Sequence, residues 1–199
     1  MTTIRAGCKE YLSAQFNHLE MPGTTVAESE FDGCTATGCN FSEVELRACR
    51  FRDCRFTQCN FSMASIVGCR FVDVSFEDCK LTGMDWTRAA WSTIALPAPV
   101  AFIRCILDDS SFFGLSLAEL VAEACRAHDV DFRESDLEAA RFCGTDLTSS
   151  LFNRTNLKRA DFTGAMNYRL SVLDNDVRGA RFDSDEAIGL LEGLGIELN

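Results

Sequence analysis

The sequence is poor in several things, and each shortage removes a class of protein. No run of 18 apolar residues occurs, so no stretch reads as a membrane-spanning helix. The first residues, MTTIRAGCKEYLSAQF, lack the apolar core of an export signal, and a cytoplasmic location is expected. Basic residues are outnumbered, 19 Lys and Arg against 30 Asp and Glu, a net charge of −11. That argues against direct binding to nucleic acid or an anionic membrane, which needs a basic patch. Histidine occurs twice, at 18 and 128, and no CxxC pair exists, so the usual zinc patterns are missing. No thiol has an evident activating neighbour, and no enzyme and no cofactor are expected.

Cysteine is not scarce. Eleven are present, and in residues 39–61, CNFSEVELRACRFRDCRFTQCNF, they fall at 39, 49, 54 and 59. A metal site, a disulfide ladder and core packing are three readings of that beat. The rest of the chain shares it. Counting in fives from Phe16 gives Met21, Val26, Phe31, Ala36, Phe41, Leu46, Phe51, Phe56, Phe61, Ile66, Phe71, Phe76, Leu81, Trp86 and Trp91. Two residues before each of these central positions stands a mostly small residue, Cys in seven units from Cys34 to Cys79. The beat slips in ALPAPVAF, at Pro97 and Pro99, and resumes from Phe102 to Phe182 with Asn167 as its one polar member. Proline fixes φ and removes a ladder donor, so it suits a break.

Charge sharpens the pattern. From residue 14 to 182, no Asp, Glu, Lys or Arg stands at a central position or two before it. Chance would place roughly sixteen there at the usual share of charged residues. Two of every five residues therefore face a dry interior, because unpaired charges are almost never buried. A period of five fits neither a helix nor a flat strand. It fits a short straight side plus a corner, stacked as a solenoid in which each coil buries its face against its neighbours.

The units CNFSE, CRFRD, CRFTQ, CNFSM, ADFTG, TDLTS and TNLKR resemble the pentapeptide-repeat family, with its consensus A(D/N)Lxx, over residues 14–183. The resemblance implies an all-β solenoid: a right-handed quadrilateral parallel β-helix with four pentapeptides per coil and residues 20 apart in one column. Cys34 and Cys54, Cys49 and Cys69, and Cys39, Cys59 and Cys79 would then stack. Parallel Cβ vectors disfavour disulfides between them, and the thiols read best as small hydrophobes packing a corner. The expected divisions are an N-terminal cap at 1–13, a first repeat section at 14–96, a one-residue register slip at 97–101, a second section at 102–183 and a C-terminal helix and tail at 184–199.

Acidity concentrates in the second half. Residues 105–140 hold Asp108, Asp109, Glu119, Glu123, Asp129, Asp131, Glu134, Asp136 and Glu138, with Arg126 and Arg133 as the opposing bases in that stretch, whereas residues 40–90 are balanced. All nine acids fall at outward positions. They form either a solvated face or a functional anionic surface. Eight coils would make a rod ~39 Å long at strand spacing, comparable with ~11 base pairs of duplex.

After Phe182 the pattern becomes helical. Ala187, Leu190, Leu191 and Leu194 make one stripe, Asp183 and Glu186 suit a capping box, and Gly195 suits a left-handed stop. The helix would either cover the open end of the solenoid or form a dimer interface through Ala187, Ile188, Leu190, Leu191, Leu194 and Ile196. The segment YRLSVLDNDVRGARFDSDEAIGLLEGLGIEL is similar to the C-terminus of Qnr-type pentapeptide proteins. That likeness implies a homodimeric DNA mimic that binds DNA gyrase or topoisomerase IV and protects it from inhibitors of quinolone or peptide-toxin type. No loop of eight or more residues interrupts the beat, which favours a loop-free immunity-type member. The alternative is a structural or scaffolding module with another protein partner.

Overall fold

The computed structural model describes residues 4, 9–91, 99–192 and 194. The chain winds as a right-handed, four-sided parallel β-solenoid of about eight turns, closed at its C-terminal end by one short helix. Every pairing is parallel. On one face Glu10–Leu12, Glu30–Asp32, Arg50–Arg52 and Arg70–Val72 pair in order, each residue with its counterpart 20 further on. On the next, Gln15–Asn17 leads through Thr35–Thr37 and Arg55–Thr57 to Val74–Glu77, Val100–Ile103 and Val121–Glu123. Of the other two faces, one has a strand pair, Thr25–Ala27 with Glu45–Arg47, and both are otherwise held by single bridges, such as Asn40 to Asn60 to Lys80 and Ser111 to Asp131 to Leu151. In chain order, face one is centred on Val26, Leu46 and Ile66, face two on Tyr11, Phe31 and Phe51, face three on Phe16, Ala36 and Phe56, and face four on Phe41, Phe61 and Leu81.

The five-residue beat becomes geometry in two ways. Central residues point inward and their flanks outward, the exposed–buried–exposed alternation of a strand. Two residues past most centres the chain turns a corner with positive φ, for example Glu43 at 56°, Asp109 at 57° and Gly83 at 72°. This left-handed position favours glycine and is tolerated by Asn and Asp. Inside, rings stack coil on coil. Phe31 and Phe51 are 4.9 Å apart at 7°, Phe112 and Phe132 5.2 Å at 10°, and Phe162 and Phe182 4.9 Å at 14°. Adjacent columns meet edge to face, as Phe56 and Phe61 do at 88°. Such contacts add about 0.5–1.5 kcal/mol each beyond burial.

Four expectations change. The N-terminal cap does not extend to residue 13, because Glu10–Leu12 is already a paired strand and Tyr11 stacks on Phe31 at 4.9 Å. The slip at 97–101 is larger than one residue. Val74 pairs with Val100 and Asp85 with Ser111, separations of 26 instead of 20, so one coil carries six extra residues between Trp91 and Val100. A five-residue beat conceals this, because an insertion of six counts as a slip of one. Residues 92–98 lie outside the described residues. Asn167 does not enter the core either. It turns outward at φ 59°, and Tyr168 is buried beside it. Burying an unpaired amide would be costly.

The fourth concerns the helix, Ser184–Glu192. Asp183 and Glu186 do not form a capping box. Asp183 Oδ2 accepts from the amide of Gly164 (2.6 Å), and Glu186 Oε2 from the amide of Asn167 (3.3 Å). The two carboxylates therefore satisfy amides on the last coil, which has no further coil to pair with.

Candidate functional site

The nine acids are brought to the surface but not to one surface. Asp131 lies on face one, Asp136 and Glu138 on face two, Glu123 on face three and Asp108 on face four. Glu134, Glu119, Asp109 and Asp129 occupy corners. Five of them meet arginine: Asp108 with Arg126 (2.5 Å), Asp131 with Arg133 (2.8 Å), Glu123 with Arg141 (2.5 Å), Glu138 with Arg159 (2.6 Å) and Glu134 with Arg154. Three of those arginines lie beyond residue 140. A count confined to residues 105–140 misses them because the solenoid sets residue i against residues about 20 away. Asp136 accepts instead from Asn156 Nδ2 (2.7 Å) and its own-turn amide of Glu138 (3.2 Å).

Asp109, Glu119 and Asp129 have no Lys or Arg within ion-pair distance among the described residues. In the first half Glu43, Asp53 and Asp73 likewise form no ion pair among the described residues, although Arg55 lines the same surface hollow as Asp53 and Asp73. All six stand at the left-handed corner position. Glu43, Asp109 and Asp129 lie on the edge between faces four and one. Asp53, Asp73 and Glu119 lie on the edge between faces two and three, diagonally opposite. The sequence signal for this set was available: an acid two residues after a central position.

Face four carries a second polar line. His128 Nε2 is 2.9 Å from Asp146 Oδ2, and Asp146 Oδ1 also receives Asn167 Nδ2 (2.9 Å) and Thr148 Oγ1 (2.7 Å). Partial burial raises the Asp146 pKa, but the hydrogen bonds from Asn167, His128 and Thr148 outweigh it and hold the carboxyl well below its ordinary 3.8. Arg133 lowers Asp131 in the same direction.

The cysteines have a structural role more specific than filling. The ten described are thiols, nine of them buried, and Cys8 lies outside the described residues. Each central carbonyl needs a donor. In some corners it takes the amide three residues on, as Phe41 O takes Val44 N (3.2 Å) and Phe61 O takes Ala64 N (2.9 Å). In others the small residue one coil later donates to it, beside the strand-ladder amide where strands pair. Cys34 Sγ donates to Tyr11 O (3.3 Å), Cys49 to Val26 O (3.4 Å), Cys69 to Leu46 O (3.4 Å) and Cys79 to Phe56 O (3.4 Å). Cys79 Sγ also accepts from Cys59 N (3.3 Å). Thr145 and Ser150 do the same with oxygen, donating to Ala122 O and Ala127 O (both 2.6 Å) and accepting from Cys125 N and Val130 N (both 3.1 Å). The thiols thus bridge coils, and burial pushes the Cys54 thiol up to about 11, keeping it protonated. Among the described residues no group of three His, Cys, Asp or Glu converges as a metal site.

At the C-terminal end the expected interface residues divide. Leu190 is buried and Ala187 packs against the rod, whereas Ile188, Leu191 and Leu194 are exposed, beside an exposed Leu173 elsewhere on the last coil. Ile196 lies outside the described residues. No helix among the described residues is long and apolar enough to cross a membrane.

A four-sided solenoid with a residue of positive φ at most of its corners, often glycine or an acid, defines a repeat protein. The chain belongs to the pentapeptide-repeat family: its model for a pentapeptide repeat region matches residues 29–99, and that for pentapeptide repeats in eight copies matches 128–165, together more than half of the chain. No curated protein matches the sequence. Among solved structures it is similar to full-length QnrB1, a plasmid-mediated fluoroquinolone resistance protein, with a TM-score of 0.58 and 18% identity over 92% of this chain and 100% of that one. A trypsin-treated form of QnrB1 matches at a TM-score of 0.50 and 18% identity, over 96% and 99% of the two chains. HetL, a pentapeptide repeat protein involved in heterocyst differentiation regulation from the cyanobacterium Nostoc, matches at 0.40 and 16%, over 88% and 87%. The two QnrB1 likenesses agree with the fold described above.

Proposed function

We propose that the protein is a non-catalytic DNA mimic that binds a type II topoisomerase, DNA gyrase or topoisomerase IV, and protects or modulates it. The observation that carries this reading is the pair of acidic edges. Glu43, Asp109 and Asp129 on one edge and Asp53, Asp73 and Glu119 on the opposite edge form no ion pair with Lys or Arg among the described residues, so their charge is available to a second molecule. A rod with two lines of negative charge offers a DNA-binding cleft what the two phosphate backbones of a duplex offer it. Attraction of that kind speeds association and weakens with salt. The full-length correspondence in fold with QnrB1, a fluoroquinolone resistance protein, supports the same reading. The acting species is a homodimer joined through Ile188, Leu191 and Leu194, the apolar residues that α1 (Ser184–Glu192) and its following turn leave exposed.

A supercoiling assay with gyrase and a panel of its poisons tests the proposal. Wild-type protein is expected to preserve or alter supercoiling at micromolar concentration. Asp109→Asn, Glu119→Asn and Asp129→Asn together, at corners whose positive φ asparagine tolerates, should abolish the effect while the rod stays folded by circular dichroism. Neither protection nor inhibition across the panel would leave the scaffolding reading. The arginines that neutralise five of the nine second-half acids favour that second reading.

A further inference from the structure

The interior of the N-terminal half holds a feature that no surface role uses. The inward column of face three runs Phe16, Ala36, Phe56, Phe76. Ala36 stands where its neighbours above and below carry rings, and the missing ring leaves a cavity of about 30 Å³. Its wall includes Phe16, Phe31, Phe41 and Phe56, with Ile4 at the end nearest the N-terminus. Leu46, Phe51, Phe56 and Phe61 form a shared wall with a smaller cavity of about 10 Å³ that reaches Trp86.

Volume alone would admit water, since ~10–15 Å³ of such space holds one molecule. Bonding does not. A buried water needs two to four polar partners, and the polar groups in this wall are already engaged. Cys34 Sγ donates to Tyr11 O (3.3 Å) and Asp32 O (3.5 Å), and the Thr35 amide donates to Ala14 O (2.9 Å). What remains is carbon, which offers dispersion and apolar contact.

We propose that the cavity at Ala36 is a binding site for a small apolar molecule, of the size class of xenon, dioxygen or a two-carbon hydrocarbon. Such a ligand gains contacts with the aromatic wall and displaces no well-bonded water. The site is independent of the acidic edges, because no wall side chain is charged.

Xenon is the probe. Crystals of the full chain pressurised with xenon should show one site between Phe16 and Phe56, against the Ala36 methyl. In solution, ¹²⁹Xe NMR should show one saturable site. Ala36→Leu, which fills the space, should weaken that binding at least tenfold and raise the melting temperature. Absence of xenon at Ala36 in the wild type, a crystal site without saturable binding in solution, or unchanged binding in Ala36→Leu would each overturn the proposal. Should Ala36→Leu fail to fold, Ala36→Val narrows the same space and serves the same comparison.

Discussion

Cys79 gives the sharpest test of how the coils are held together. Its sulfur donates to Phe56 O at 3.4 Å and accepts from Cys59 N at 3.3 Å, so Cys79→Ala leaves the Cys59 amide without its partner and takes from Phe56 O the donor it has besides the strand ladder. Both are buried. An unsatisfied buried donor or acceptor costs about 1–3 kcal/mol, and lost packing adds about 1 kcal/mol. The expected loss is therefore about 2–4 kcal/mol. Cys79→Ser should lose ~1 kcal/mol or less, because Ser150 makes the equivalent pair of bonds at 2.6 and 3.1 Å. Ala64→Ser is the control. Below it, Phe41 O and Val44 N already bond to each other at 3.2 Å, so a hydroxyl there finds no open partner and should destabilise by about 1–2 kcal/mol. Denaturant unfolding followed by circular dichroism reads all three. If Cys79→Ser is as damaging as Cys79→Ala while Ala64→Ser is neutral, the thiols are packing and nothing more.

Other outcomes follow from the same geometry. The Asp146 pKa is depressed in the folded state, so its contribution is present above the ordinary 3.8 and is lost as pH falls below that value. Asp146→Asn should accordingly flatten the acid limb of a plot of melting temperature against pH, and an unchanged limb would contradict the network. Ile188→Glu with Leu191→Glu should give a folded monomer by light scattering, whereas Leu190→Glu should also loosen the cap because Leu190 is buried. A wild-type monomer would end the dimer model. Gly83→Ala places a Cβ at φ 72° and against Met63 Sδ, and should cost about 1–2 kcal/mol in thermal unfolding.

Much of the fold was legible because the code is local. A pentapeptide fixes which two side chains point inward, and the four pentapeptides per coil that the family resemblance implies placed Phe31, Phe51 and Phe71 in one column. What was not legible depended on contacts between coils. Five-residue counting cannot distinguish an insertion of one from an insertion of six, and the pairing of Val74 with Val100 was needed to separate them. Asp183 and Glu186 looked like a capping box because that motif is local, yet their partners are the amides of Gly164 and Asn167, 19 residues back in each case. The same distance hid the ion pairs. Arg154 and Arg159 neutralise Glu134 and Glu138 from one coil below. Cysteine was read correctly as small and buried, but its hydrogen-bonding partner lies 23 residues earlier at Cys34, Cys49 and Cys79.

The corner acids carry a consequence that separates function from stability. Asp109 and Asp129 occupy the same corner on adjacent coils, linked by the bond from Asp109 N to His128 O (2.9 Å). Neighbouring coils are ~4.8 Å apart, and two unit charges at that distance repel by just under about 1 kcal/mol in water. No base offsets them among the described residues. Asp129→Asn should thus raise the melting temperature slightly in low salt, and the gain should shrink as added salt screens the wild-type repulsion. Asparagine also tolerates the left-handed corner, so any salt-independent part of the gain reports backbone preference and the salt-dependent part reports charge. The same substitution should weaken topoisomerase binding if the acidic edge is the contact. A variant that is more stable but binds less well would show that the edge is maintained against its own repulsion for the sake of a partner. Equal salt dependence in wild type and variant would mean that the two carboxylates do not face each other, and the edge would lose its claim to act as a continuous line of charge.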